Sequence, residues 1–117
     1  MIRIDAIAHK DQRYPTVGDW AFKNGDLQIL VSDTGVMDYN FLVALHEMIE
    51  AYLCKKTNIS SAMVDEWDKS FPNEFDPGSL QHCPYRDQHK LAEAVERLVA
   101  HELNVDWKAY EETLRGL

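Results

Sequence analysis

The sequence has few cysteines, a shortage of basic residues and no long apolar run, and each absence excludes a class of protein. No stretch approaches the roughly 18 consecutive apolar residues of a membrane-spanning helix. The first residues, MIRIDAIAHK, carry charges where a signal peptide has its apolar segment, so we expect a cytoplasmic protein. The 12 Lys and Arg against 20 Asp and Glu give a net charge of -8. Because phosphate backbones are bound chiefly through basic side chains, a nucleic-acid partner is disfavoured.

The two cysteines, Cys54 and Cys83, indicate free thiols in a reducing compartment, although a single disulfide between them also fits the even count. A zinc site built on cysteine is disfavoured because the paired Cys-x-x-Cys spacing is missing. The length is that of one ordinary domain that can bury a core without disulfides. We therefore interpret residues 1–117 as a single domain, and its candidate ligands predict that it binds a metal.

Hydrophobic periodicity predicts an α+β fold in which a short antiparallel hairpin or a three-stranded sheet precedes three to four helices. Ile2–Asp5 alternates apolar and charged residues, as a short strand does. The pair Asn24-Gly25 stands between two β-prone runs, and both residues accept the positive φ angles of a type I′ turn. This predicts a hairpin with strands near 17–23 and 27–32.

Helical spacing and capping residues predict the helices that follow. The first starts at Tyr39 with Asp38 as its cap and ends near residue 55 or 56. The second has Ser60 or Ser61 as its cap and runs to about residue 71. A loop with three prolines covers 72–84, a third helix begins at 84 or 85, and Asp106 caps a last helix from 107 to about 114. The third helix is expected to pack through Leu91, Val95, Leu98 and Val99. We expect the tryptophans in the core and two histidines at the surface (Trp20, Trp67, Trp107; His9, His101).

The first helix carries the sequence His46-Glu47-Met48-Ile49-Glu50. Residues four apart project from the same helix face, so His46 and Glu50 form a pair beside the apolar stripe. In the zinc helix His-Glu-x-x-His, positions i and i+4 bind the metal and the Glu at i+1 is the general base. A carboxylate is a competent zinc ligand, so the pattern predicts His46 and Glu50 as ligands and Glu47 as catalytic base.

His89, on the third helix, is the candidate third ligand. It lies off the predicted core stripe and shares a face with Ala92, Glu93, Glu96 and Ala100. The small residues allow close helix approach, and the polar ones require partners. Two histidines and one glutamate are a known catalytic zinc set that leaves a fourth position for water. We therefore predict one divalent metal, zinc being the first choice, held by His46, Glu50 and His89.

Further candidates for supporting roles lie on the second helix (Asp65, Glu66 and Asp68) and at the start of the third (Tyr85). Asp65 or Asp68 could bind the metal directly, or accept the outer N–H of a ligand histidine and fix its tautomer. Tyr85 could donate a hydrogen bond to an oxyanion near the metal.

Several readings stay open at this level. An isolated His-Glu-x-x-Glu is most often only an acidic helix face. If a metal is bound, the protein is a metal-dependent hydrolase of the peptidase type, or a non-catalytic protein whose metal staples the helices and whose surface binds a partner. A carboxylate-rich two-metal site would add Glu93 and Glu96, but in both helices the His precedes the Glu, the reverse of the di-iron order. The oligomeric state is left open.

The order of hairpin, Leu45-His46-Glu47-x-x-Glu50-Ala51 and a later His89 resembles a minimal zincin-type metalloprotein. The segments QRYPTVGDW, VALHEMIEA, VDEWDKSF and PYRDQHKLAEAVE resemble small uncharacterised phage and bacterial proteins. This resemblance implies a zincin-like fold in which an edge strand beside the metal helix binds an extended peptide by strand addition, with Leu27–Val31 as that strand. Glu50 takes the position of the second His of zincin peptidases.

Overall fold

A three-stranded mixed sheet is followed by four helices in the computed structural model, which describes residues 1–117. The strands are β1 (Ile2–Ile7), β2 (Gly18–Lys23) and β3 (Asp26–Ser32), and a 3₁₀ turn (His9–Asp11) follows β1. The helices are α1 (Met37–Lys56), α2 (Ser61–Lys69), α3 (Arg86–Glu102) and α4 (Trp107–Arg115), with a second 3₁₀ turn (Pro77–Ser79) before α3. The predicted α+β class is confirmed. None of the helices combines the length and apolarity that a membrane crossing requires.

The sheet has the strand order β1-β3-β2, so β3 lies in the centre. The β2–β3 hairpin is confirmed, and its turn residues Asn24 and Gly25 have φ angles of 52° and 84°. β1 pairs in parallel with β3 on the opposite side. The expectation that Leu27–Val31 is an edge strand is therefore wrong, because both of its edges are paired. The unpaired edges belong to β1 and β2.

Two of the predicted caps are confirmed and one is wrong. Ser60 accepts a hydrogen bond from the Met63 amide at the start of α2, and Asp106 accepts one from the Ala109 amide at the start of α4. Asp38 does not cap α1, because that helix already begins at Met37 and Asp38 lies in its first turn. There its charge interacts favourably with the helix dipole instead.

The main core lies between the sheet and α1. Buried side chains of β3 meet those of α1, and α1 packs along α3 in turn. Trp20 is buried, whereas Trp67 and Trp107 are partly buried against this core. Both cysteines are buried and free, so they form no disulfide.

The predicted core stripe of α3 is wrong for its two leucines, whereas Val99 packs against the core. Leu91 and Leu98 are exposed to 51% and 68%. The buried face of α3 carries Ala92, Glu96 and Ala100 instead. The small alanines allow α1 and α3 to pack closely, and the polar residues between them meet partners on α1. Because α3 turns this face toward α1, His89 contacts Glu50 of α1.

Candidate metal centre

The side chains of His46, Glu50 and His89 converge between α1 and α3. Glu50 Oε2 lies 3.0 Å from His46 Nε2 and 2.8 Å from His89 Nδ1. The two ring nitrogens are 3.2 Å apart. Ligands around a tetrahedral zinc lie about 3.3 Å from one another, given Zn–N and Zn–O distances of about 2.0–2.1 Å. The three atoms thus form a triangle close to the size that one metal ion requires, and these residues could hold one.

The opposite nitrogen of each histidine ring contacts a carboxylate. His46 Nδ1 lies 2.7 Å from Glu96 Oε1, and His89 Nε2 lies 2.7 Å from Asp76 Oδ1. A carboxylate accepts, so we assign the N–H of each ring to this outer nitrogen. In its neutral form each ring then turns a lone pair toward Glu50. Three acceptors facing one another require a cation between them, either a proton or a metal ion.

Further hydrogen bonds fix the two buried carboxylates. Trp20 Nε1 donates to Glu50 Oε1 at 3.2 Å, which leaves Oε2 facing the histidines. Tyr110 donates to Glu96 Oε2 at 2.6 Å, which leaves Oε1 facing His46. Such outer partners orient metal-binding side chains and set their basicity.

Without a metal, the charges of the triad favour an ionised Glu50 beside protonated histidines. Burial opposes ionisation of Glu50, but hydrogen bonds from both histidines outweigh it and hold its pKa at about 2. Burial also opposes the charge on His89, yet Asp76 and Glu50 raise its pKa to about 10. The pKa of His46 is raised well above 6.5 despite burial, by Glu50 and Glu96. Without metal, the triad therefore retains protons, which a metal ion must displace.

Glu47 lies one residue along α1 from this triad and lines a cavity of about 460 Å³ together with it. Burial, and then the charge of Glu50, raise its pKa to about 8, and no hydrogen bond contributes to that shift. The start of β2 closes one side, since a Cβ at Gly18 would lie 2.6 Å from the Glu47 side chain. A side chain at position 18 would therefore displace the Glu47 carboxyl, and glycine avoids this clash.

Asp65, Asp68 and Tyr85 line the same cavity but have partners outside the triad, and the outer histidine nitrogens contact Glu96 and Asp76 instead. Asp65 pairs with Arg13, at 3.1 Å, and lies outside the triad. Asp68 accepts hydrogen bonds from Tyr85 and Tyr14, so the Tyr85 hydroxyl is occupied by an internal acceptor. Burial raises the pKa of Asp68 to about 6.

Sequence reasoning missed the residues that actually contact the outer histidine nitrogens. The sequence places Glu96 on the face of His89, two helical turns further on, and predicts that it requires a partner, but it does not identify His46 as that partner. Asp76 lies in the proline-containing loop, and no periodicity connects a loop residue with a helix. His9, expected at the surface, is partly buried with Nδ1 2.8 Å from Ser32 Oγ, whereas His101 is exposed as expected.

Comparison of the chain with protein-family models, with curated proteins and with solved structures finds no match. The resemblance to zincins and to small phage and bacterial proteins therefore stays a prediction.

Proposed function

We propose that this protein is a zinc-dependent hydrolase of the peptidase type, in which His46, Glu50 and His89 hold the metal and Glu47 is the general base. The observation that carries the proposal is that one nitrogen of His46, one nitrogen of His89 and one oxygen of Glu50 converge on a single point. The outer nitrogen of each histidine contacts a carboxylate. A helix face that served only for packing would gain nothing from so many buried charges.

The donor set fits zinc. Two imidazoles and one carboxylate are the protein ligands of a familiar class of catalytic zinc site, which keeps one coordination position for water. Bound there, zinc would lower the pKa of a water molecule and polarise a substrate carbonyl. The cavity supplies the space for that water and for a substrate group beside the triad.

Glu47 is suited to the proton transfer. It lies on the helix that supplies two of the ligands, but about 100° around the axis from His46, so it reaches the cavity without belonging to the triad. A zinc cation bound beside it would favour the ionised form of Glu47, and this carboxylate could then accept a proton from the attacking water. It can then pass that proton to the leaving group.

A zincin-like arrangement would place an extended peptide along the edge strand nearest the site. That strand is β2, whose first residue, Gly18, abuts Glu47. We therefore propose that a peptide binds along the unpaired edge of β2 rather than along Leu27–Val31, so that strand addition would present the scissile bond to the triad.

A structural role is the second candidate, and one observation favours it. The contacts of His46, Glu96 and Tyr110 connect α1, α3 and α4 through one buried network. A metal held there would stabilise the helical half of the fold even without catalysis.

The test begins with zinc binding, measured by calorimetry and elemental analysis on protein purified without an affinity tag. His46→Ala should abolish binding, because a site with three protein ligands has none to spare. Glu47→Gln should keep zinc affinity and fold stability but lower turnover of a peptide and ester panel by roughly 100- to 10,000-fold. Glu93→Gln, which also lines the cavity, is the matched control. Zinc binding without metal-dependent turnover in the wild type would support the structural role instead.

A further inference from the structure

The apolar stripe of α3 faces solvent. Leu91, Val95 and Leu98 recur at the spacing of one helix face, yet Leu91 and Leu98 are exposed to 51% and 68%. Leucines at such positions normally pack against another element. Within this chain no element covers them.

A second apolar stripe runs along α1. Phe41, Leu45, Met48 and Tyr52 also recur at helical spacing, and Phe41 and Tyr52 are each exposed to 50%. Leu45 and Met48 between them are partly buried. α1 therefore presents its own apolar ridge beside that of α3.

The two stripes lie side by side because α1 and α3 are antiparallel neighbours. The amide of Gln88, near the start of α3, donates to the hydroxyl of Thr57 just after the end of α1, at 3.1 Å. Counting residues from this contact along the two antiparallel helices places Leu98 near the level of Leu45, and Leu91 near the level of Tyr52. Together the seven residues form what we call the α1/α3 apolar face: Phe41, Leu45, Met48, Tyr52, Leu91, Val95 and Leu98.

This face points away from the metal centre. At about 100° per residue, Phe41 lies about 180° around α1 from Glu50, and Leu98 lies about 180° around α3 from His89. A partner bound here would leave the cavity open, so the inference does not depend on the proposed function.

The area is that of a small interface. With about 200–250 Å² for a fully exposed large side chain, the four most exposed residues present roughly 450 Å². The largest apolar patch of an ordinary monomer is about 300–600 Å² and is often functional. Two such faces in contact would bury roughly 900 Å² from these residues, which is the size of a weak interface rather than of a standard one.

The charges at the ends of α1 favour a second copy of this chain as the occupant. Asp38 lies at the N-terminal end and Lys56 at the C-terminal end, about five helical turns apart and therefore on the same side of the stripe. The Lys56 ammonium stands 5.6 Å from the centre of the Tyr52 ring, beside the apolar face. An antiparallel second α1 would bring Asp38 opposite Lys56 of the partner subunit, and Phe41 opposite Tyr52 of the partner subunit.

We propose that the protein associates through the α1/α3 apolar face as a weak two-fold symmetric dimer with antiparallel α1 helices. Such an interface is self-complementary, because each pair of contacts occurs twice around the axis.

Sedimentation velocity of the full chain over a concentration series tests the association. We expect the mass to rise from 13.5 kDa to twice that value. Leu98→Glu should raise the dissociation constant by more than about tenfold, while thermal unfolding and zinc affinity stay unchanged because the side chain is exposed in the monomer. A wild type that stays monomeric at every concentration, or a Leu98→Glu variant that dimerises normally, would overturn the proposal.

Charge exchange tests the antiparallel geometry. Asp38→Lys and Lys56→Asp should each weaken self-association, because each places like charges opposite one another twice. A mixture of the two variants should form a heterodimer more tightly than either variant forms a homodimer, because both pairs are then opposite in charge. Failure of the mixture to associate better than the separate variants would overturn the antiparallel pairing.

Discussion

Glu96→Gln tests the central inference, that buried carboxylates hold the histidines in their metal-binding tautomers. Glu96 is buried and joins His46 Nδ1, at 2.7 Å, to the Tyr110 hydroxyl, at 2.6 Å. An amide has nearly the same shape, so packing should survive. It no longer carries the charge that supports the donating Nδ1–H, and its NH₂ group can turn toward His46 and favour the opposite tautomer. Loss of such an outer partner typically costs about 10- to 100-fold in metal affinity, or about 1.4–2.7 kcal/mol.

Calorimetry gives the change in zinc affinity directly, and thermal unfolding with and without zinc gives an independent measure. At fixed zinc concentration the stabilisation by metal should fall by the same free energy, which for a chain of this size corresponds to roughly 5–10 °C less zinc-induced rise in Tm. Glu93→Gln, on the same helix but without a contact to His46, should behave as the wild type. If Glu96→Gln binds zinc with unchanged affinity, the tautomer argument fails, and the Glu96 contact is only structural.

Two further substitutions test the surroundings of the site. Gly78→Ala would place a Cβ 2.6 Å from His89 Cγ, so we expect about 1–3 kcal/mol of destabilisation in denaturant titrations and a weaker zinc affinity. Gly116→Ala is the control, because its Cβ would meet nothing closer than 3.4 Å. Equal stability and zinc affinity of the two variants would contradict the close contact between Gly78 and His89. Burial raises the pKa of Asp68 to about 6, so the folded state binds more protons there than the unfolded state, and this group's contribution to stability should fall by at most about 1.4 kcal/mol per pH unit between pH 4 and 6. Asp68→Asn should remove that part of the pH dependence and stabilise the protein above pH 6. An unchanged stability–pH profile would show that the carboxyl ionises normally despite its burial.

Local signals in the sequence predicted the elements that depend on neighbouring residues. Asn24-Gly25 requires little beyond its own φ angles to form a turn, and Ser60 and Asp106 cap helices through amides three residues away. The parallel pairing of β1 with β3 could not be predicted in the same way, because it joins segments about 25 residues apart and no turn specifies it.

The candidate site was predictable where its residues share one helix. The i, i+4 spacing brought His46 and Glu50 together, and the polar face of α3 indicated His89. The outer contacts escaped prediction because Asp76 lies in a loop, and Tyr110 reaches Glu96 from α4. Contacts between separate elements depend on how those elements pack, which periodicity within one element does not describe.

The error on α3 is informative in its own right. A helix with leucines on one face and Glu, His and Ala on the other should bury the leucines, since burial of each contributes about 1.5–3 kcal/mol. Here Glu96 is buried while Leu98 is exposed to 68%. Burying charged groups is costly unless they are paired, and even paired ones are often less favourable than apolar residues of the same size. A sequence that keeps the less stabilising face inward, with every charge matched to a partner, departs from the local rule at the point where a functional site is expected. The leucines that it leaves outside then require a partner of their own, which the proposed dimer supplies.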